Sequence, residues 1–136
     1  MLCPTIFEAM CQNFRVRPVI DLFASNSHHQ LPRYYLADPI DARAEGYNAF
    51  DFQWSPDVVL YANSPWSLID QVLEKVVRDH SRILLVTPFW TKASWYLKLL
   101  KLRKDHSIWT QPLYLSTNGA LRPTPQWCTN FSWIEA

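Results

Sequence analysis

Glycine is nearly missing from this chain: Gly46 and Gly119 are the two in 136 residues. Two glycines so far apart cannot form a G-x-G-x-x-G turn or a P-loop, so NAD or ATP binding through such phosphate cradles is ruled out. A G-x-S-x-G nucleophile elbow is absent for the same reason. Long apolar runs are missing too, and nothing approaches the roughly 18 residues of a membrane-crossing helix. The N-terminus lacks the basic-then-apolar pattern of a secretory signal, so the expectation is an intracellular protein with no membrane partner. Cysteine is limited to Cys3, Cys11 and Cys128, an odd number with no C-x-x-C pair, which predicts reduced thiols. The net charge of +1 gives no global attraction to nucleic acid, so any such binding must use a local patch.

Apolar side chains, by contrast, are plentiful. They make up 49% of the chain, and seven tryptophans raise the aromatic share to 15%, which argues for a packed core rather than disorder. The length fits one domain, residues 1–136. Pro4-Thr5-Ile6-Phe7-Glu8 predicts a helix start with Thr5 as N-cap and Glu8 closing a capping box, followed by an apolar face of Ile6, Met10 and Phe14. Val19 to Phe23 reads as a short strand. From Ala24 to Trp54 no clean periodicity survives Pro32, Pro39 and Gly46, and a loop of that length in a small domain is usually functional.

Val58 to Ala62 reads as a second strand. Leu68, Ile69, Val72, Leu73, Val76 and Val77 then mark a helix with one buried face. Ile83 to Val86 is a third strand, and a third helix is predicted from about Ser94 to Arg103. Leu113 to Leu115 and Phe131 to Ile134 are candidate closing strands, with a turn at Asn118-Gly119. Strands alternating with helices predict an α/β domain with a mostly parallel or mixed sheet and three layers.

The segment Tyr61-Ala62-Asn63-Ser64-Pro65-Trp66 falls where the second strand stops and the next helix begins, the edge on which open α/β sheets place their ligands. Asn-x-Pro-aromatic offers an amide with paired donor and acceptor, a stiff turn and a flat ring, the parts needed to hold a planar base by its exocyclic amine. Such an amine is a poor nucleophile because its lone pair is delocalised into the ring. Hydrogen bonds to the Asn63 side-chain oxygen and the Ser64 carbonyl favour a pyramidal amine, Pro65 fixes the turn, and Trp66 stacks on a base drawn out of its duplex. Asn-Ser-Pro is equally an ordinary turn before a helix.

A set of segments in order carries a resemblance: Pro4-Thr5-Ile6-Phe7, Asp21-Leu22-Phe23-Ala24-Ser25-Asn26, Leu31-Pro32-Arg33-Tyr34, Asn48-Ala49-Phe50, Tyr61 to Trp66, Pro88-Phe89-Trp90 and Trp95-Tyr96. Together they resemble phage-type Dam DNA adenine-N6 methyltransferases. The chain is most similar to the Dam-like domain that follows reverse transcriptase and ribonuclease H in the polyproteins of DIRS-type tyrosine-recombinase retroelements. The resemblance covers residues 4 to 134. It implies a small Rossmann-like fold, S-adenosylmethionine (AdoMet) as cofactor and DNA as partner, within a possible parent polyprotein.

By the same resemblance Asp21 takes the methionine ammonium or a ribose hydroxyl of AdoMet, Pro4, Thr5, Ser25 and Asn26 belong to the cofactor site, and Asn48 and Phe50 flank the adenosine. Asn63, Ser64, Pro65 and Trp66 form the catalytic segment. Ser64 stands where the motif has its first proline, and Asn48 where the family has an acid. These departures keep a second function open, a catalytically inactive Dam-like module binding nucleic acid or protein. A third is a ribonuclease H-like nuclease fragment, which requires metal-dependent cleavage that is lost in Asp21→Asn. Asp38, Asp41 and Asp51 with Asp21 are read either as a two-metal nuclease centre or as solvated loop carboxylates. His28-His29 is a further metal candidate, against solvated loop histidines. Lys98, Lys101, Arg103 and Lys104 form a basic edge predicted on the third helix, either a solvated face or a line of phosphate contacts.

Overall fold

The computed structural model describes residues 2–25, 29–36, 44, 46–110, 114–115, 121–122 and 128–136. Among these residues three α-helices, α1 Pro4–Phe14, α2 Ile69–Asp79 and α3 Tyr96–Leu102, accompany nine strands: β1 Ile20–Ala24, β2 Arg33–Leu36, β3 Gly46–Tyr47, β4 Val59–Ala62, β5 Arg82–Pro88, β6 Arg103–Thr110, β7 Tyr114–Leu115, β8 Leu121–Arg122 and β9 Cys128–Glu135. Seven strands form one mixed sheet in the order β3-β2-β1-β4-β5-β9-β6, and β7 pairs with β8 separately. The first five in that order run parallel. β9 is antiparallel to both β5 and β6.

Alternation along the strands sends successive side chains to opposite faces, and each face has its own helices. Leu60, Ile83, Leu85 and Ile134 pack with Ile69, Val72, Leu73 and Val76 of α2 and Leu99 of α3. Tyr61, Leu84, Val86, Phe131 and Trp133 pack with Phe7 and Met10 of α1. The result is an α/β domain of three layers.

The scarcity of glycine shows at the helix ends. α1 and α2 stop in left-handed residues, Arg15 at φ 58° and His80 at φ 54°, where glycine is the usual choice. Each termination still closes two carbonyls, Val16 N–H on the Cys11 oxygen and Ser81 N–H on the Val76 oxygen among them. The strain of a left-handed non-glycine residue is about 1–2 kcal/mol at each.

Several predicted boundaries move. The cap of α1 is Cys3 with Pro4 at the first helical position and no side-chain cap bond, so the Thr5–Glu8 box does not form; proline's fixed φ suits that position. Of the expected face Met10 is buried and Ile6 and Phe14 are partly buried, and Phe7 joins them as a buried residue. Val77 is exposed, because α2 buries a narrower stripe and includes Lys75 in it. The third helix ends at Leu102, which puts Arg103 and Lys104 in β6, a strand the sequence pattern did not show. The predicted loop from Ala24 to Trp54 holds β2, β3 and a 3-10 turn, Ala49–Asp51. The Asn118-Gly119 turn lies outside the described residues. Among those residues no helix is long and apolar enough to cross a membrane, and Cys3 and Cys11 are free thiols.

Candidate functional site

The site begins where the sheet comes apart. β1 and β4 are matched at Ile20–Leu60 and Asp21–Tyr61 and then separate. On its other side β1 slips register against β2 between Asp21 and Ala24. The chain also reverses here, since β2 and β3 lie on one side of β1 while β4 and β5 lie on the other. A crevice at the strand carboxyl ends is expected at such a switch point. It contains a cavity of about 330 Å³ whose lining includes Asp21, Ser25, Gln30, Tyr61 and Asn63. Phe23 and Ala24 wall this cavity and also a second one of about 340 Å³, which Asn48, Phe50, Pro65 and Leu68 help to enclose.

Asp21 is the second residue of β1 rather than its last, and it is 3% exposed. One carboxylate oxygen accepts the Gln30 N–H at 2.9 Å and the other the Phe23 N–H at 3.3 Å. Burial pushes this carboxyl above the ordinary aspartate range, outweighing those two bonds and the nearby His29. His29 is held by donating Nδ1–H to the Leu31 carbonyl at 2.7 Å and by stacking on Tyr34, centroids 3.9 Å apart. Gln30 Nε2 donates to the Leu2 carbonyl at 2.6 Å and so ties the segment before α1 to the cavity wall.

Tyr61 is 1% exposed, and its hydroxyl makes no well-formed hydrogen bond. Burial first, then the negative charge of Asp21, drive its ionisation far above the usual phenol range; the Asn63 side chain lies near enough to oppose this slightly. Ser64 is buried as well, with its Oγ unpartnered. Pro65, at φ −51° and ψ 142°, ends the extended segment, and its carbonyl accepts the Leu68 N–H at 3.0 Å to start the 3-10 turn Trp66–Leu68 that leads into α2. Trp66 is 47% exposed and meets the Trp90 ring edge to face, centroids 4.5 Å apart.

The wall of the second cavity is fixed from behind by Trp54. Its indole N–H donates to the Ala49 carbonyl at 2.9 Å, its backbone N–H to Asp79 at 3.0 Å, and its carbonyl accepts the Ser81 hydroxyl at 2.9 Å. Lys75 lies over the ring at 5.3 Å and pairs with Asp79 at 2.9 Å. Phe50 packs between Trp54 and Phe23, at 5.7 and 5.6 Å between centroids. Asn48 sits at φ 55°, a left-handed conformation that asparagine tolerates well. Its amide donates to Asp51 at 3.1 Å, so an acid stands one bond away from the position where the resemblance expects one.

The remaining expected residues are dispersed. Pro4 and Thr5 are exposed at the start of α1, and from that region it is Leu2 that reaches the first cavity. Asn26, His28, Asp38 and Asp41 lie outside the described residues. Among the described residues no group of His, Cys, Asp or Glu is placed to hold a metal. Lys98 is engaged with Asp70 at 3.1 Å and Glu74 at 3.8 Å, and Lys101 borders an apolar groove between α2 and α3. Lys104 is exposed on β6, while one Arg103 nitrogen is buried without a partner.

Sequence reasoning missed the Tyr61 hydroxyl and Gln30. Period-two alternation puts Tyr61 and Asn63 on one face of a strand, a signal that was present. The bond from Gln30 to Asp21 had none. Neither the scan of family models nor the search of curated proteins matches this chain to anything.

Proposed function

We propose that this chain is an AdoMet-dependent DNA adenine-N6 methyltransferase-like domain of retroelement origin. The observation that carries the reading is the meeting of Asp21 and Asn63 in one cavity at the switch point of an α/β sheet, with Phe50 walling a second cavity across Phe23 and Ala24. The parallel part of the sheet, in the order β3-β2-β1-β4-β5, supports it as a doubly wound arrangement.

The residues present fit a zwitterionic nucleoside cofactor. Asp21 supplies a buried acceptor for an ammonium, Tyr61 and Asn63 polar side chains lining the same cavity, and Phe50 an apolar wall for an adenine ring. Bound AdoMet supplies an electrophilic methyl group. The chain's own part is to present the amine: the Asn63 side-chain oxygen and the Ser64 carbonyl accept its two N–H bonds, Pro65 holds the turn, and Trp66 stacks on the base. The amine proton passes to solvent.

The test is transfer of labelled methyl from AdoMet into DNA. Asn63→Ala should lower it on the order of 10²-fold, the usual effect of removing one preorganised hydrogen-bonding group. Unchanged transfer in that variant overturns the mechanism. The second reading is an inactive Dam-like module that binds nucleic acid, favoured by Ser64, whose buried side chain lacks the ring that stiffens the family's motif. Calorimetry separates the two. Micromolar AdoMet binding supports the enzyme, and no detectable AdoMet binding alongside salt-sensitive DNA binding supports the module.

A further inference from the structure

Phe52, Trp66, Phe89 and Trp90 carry exposed rings, and the last three follow the ends of neighbouring strands. Trp66 follows the turn that ends β4. Phe89 and Trp90 follow Pro88, the last residue of the neighbouring parallel strand β5, so both pairs of ends open on the same edge of the sheet. The Trp66 and Trp90 rings meet at 74°, centroids 4.5 Å apart, which leaves no gap for a base between them. They form a corner instead: a flat group stacked on one ring meets the edge of the other. Beyond it Phe89, Trp90, Thr91 and Lys92 line an open hollow of about 590 Å³. Trp95, five residues further on, is buried and belongs to the core, so it cannot share this surface.

Charge identifies the occupant. From His80 to Lys104 the chain has six of its thirteen Lys and Arg residues and no Asp or Glu, although Lys98 is engaged with Asp70 and Glu74 and one Arg103 nitrogen is buried. Lys92 lies within the hollow itself and is exposed. Flat rings beside an unopposed cation suit a polyanion with unstacked bases, because every base has a face to stack and a phosphate to neutralise. A duplex hides those faces.

We propose that Trp90, with Phe89 and Lys92, is a stacking platform for the nucleotide next to the one that Trp66 holds, so that this domain engages single-stranded DNA in preference to duplex. The inference rests on the DNA reading above and adds the strand state of the substrate. Two rings at a right angle serve two consecutive bases, one on each, with the Lys92 ammonium at the intervening phosphate.

The test is fluorescence anisotropy of a labelled 12-nucleotide single strand, and of the same sequence as a blunt duplex, titrated with the full chain without AdoMet. The single strand should bind about tenfold or more tightly than the duplex. Trp90→Ala should weaken single-strand binding about 5- to 150-fold, the span of the 1–3 kcal/mol that one stacked base contributes. Trp90→Phe should recover most of it, and Lys92→Ala should lower the salt slope by about one unit. Because Trp90 is 40% exposed, the Ala variant should keep the wild-type melting curve, which verifies that the loss is local. Equal affinity for strand and duplex, or wild-type binding by Trp90→Ala, overturns the platform. Methyl transfer with Trp90 silent sinks this inference alone, whereas Trp90-dependent strand binding without AdoMet binding sinks the enzyme and leaves the platform standing.

Discussion

On one side of the sheet the ladder between β5 and β9 runs unbroken from Arg82–Glu135 to Pro88–Thr129. On the other, β1 and β4 match at Ile20–Leu60 and Asp21–Tyr61 and then part, and β1 slips against β2. The continuous half closes its backbone hydrogen bonds on itself and buries Leu84, Leu85, Phe131 and Ile134. The divided half leaves Asp21, Tyr61 and Asn63 around a cavity. A binding crevice requires backbone that stops pairing, and such backbone contributes less to stability. The two halves therefore differ in kind: one is a continuous ladder, and the other encloses the proposed site.

The largest expected effect breaks the continuous half. Phe131 is fully buried between β9 and α1, so Phe131→Ala should cost about 3–5 kcal/mol in a denaturant titration. A loss below about 1 kcal/mol would show that this half does not hold the fold.

Next comes the bolt behind the second cavity. Asp79→Ala leaves Lys75 buried without its partner and the Trp54 N–H without its acceptor, for a cost of about 2–4 kcal/mol. Burial acts to raise the Asp79 carboxyl, but the Trp54 N–H, Lys75 and Arg78 together hold it below its ordinary 3.8. A depressed acid stabilises the fold above its unfolded value, and that contribution fades as pH falls from 3.8 through the lowered one. Wild type and Asp79→Ala should accordingly converge in stability on acidification, and parallel profiles down to the acid transition would remove Asp79 from this role.

The smallest effect on stability, and the one that sharpens the contrast, belongs to Asp21. Its carboxyl is raised by burial, so the ionised form is disfavoured in the folded chain. The sign is opposite to that of Asp79: stability falls as pH rises from 3.8 toward the raised value. Asp21→Asn should change stability at neutral pH by less than about 1 kcal/mol, since one lost N–H acceptor offsets the relieved charge. It should also flatten that stretch of the pH profile and weaken AdoMet binding more than tenfold by calorimetry. Strong destabilisation with unaltered binding would assign Asp21 to the core.

Much of the framework was legible because apolar runs bounded by polar turns read the same in any context. β4, β5 and α2 were found that way, to within a residue or two at most ends. β6 was not, because Arg103 to Ser107 is wholly polar and shows no apolar signal, and its pairing comes from β9. β2 and β3 are too short to show a period; β2 exists because β1 offers an edge, and β3 because β2 offers the next one. In the site, Asp21 and Asn63 could be read from the segments around them. The Trp54 bolt could not, since its partners Ala49, Asp79 and Ser81 are joined only by folding.

The sequence alone determined the layer pattern and the chemistry of the strand ends: hydrophobic periodicity and the stiffness of Asn-Ser-Pro are local properties of the chain. The tertiary structure decided which ends meet. Asp21 and Asn63 stand 42 positions apart in the numbering, and nothing local brings them to one cavity. The reversal of strand order at β1 does so, and the same folding that buries Asp21 raises its carboxyl and buries Tyr61 beside it. Burial and pairing between distant segments are properties of the assembled sheet, because desolvation exists only once the surrounding layers have closed.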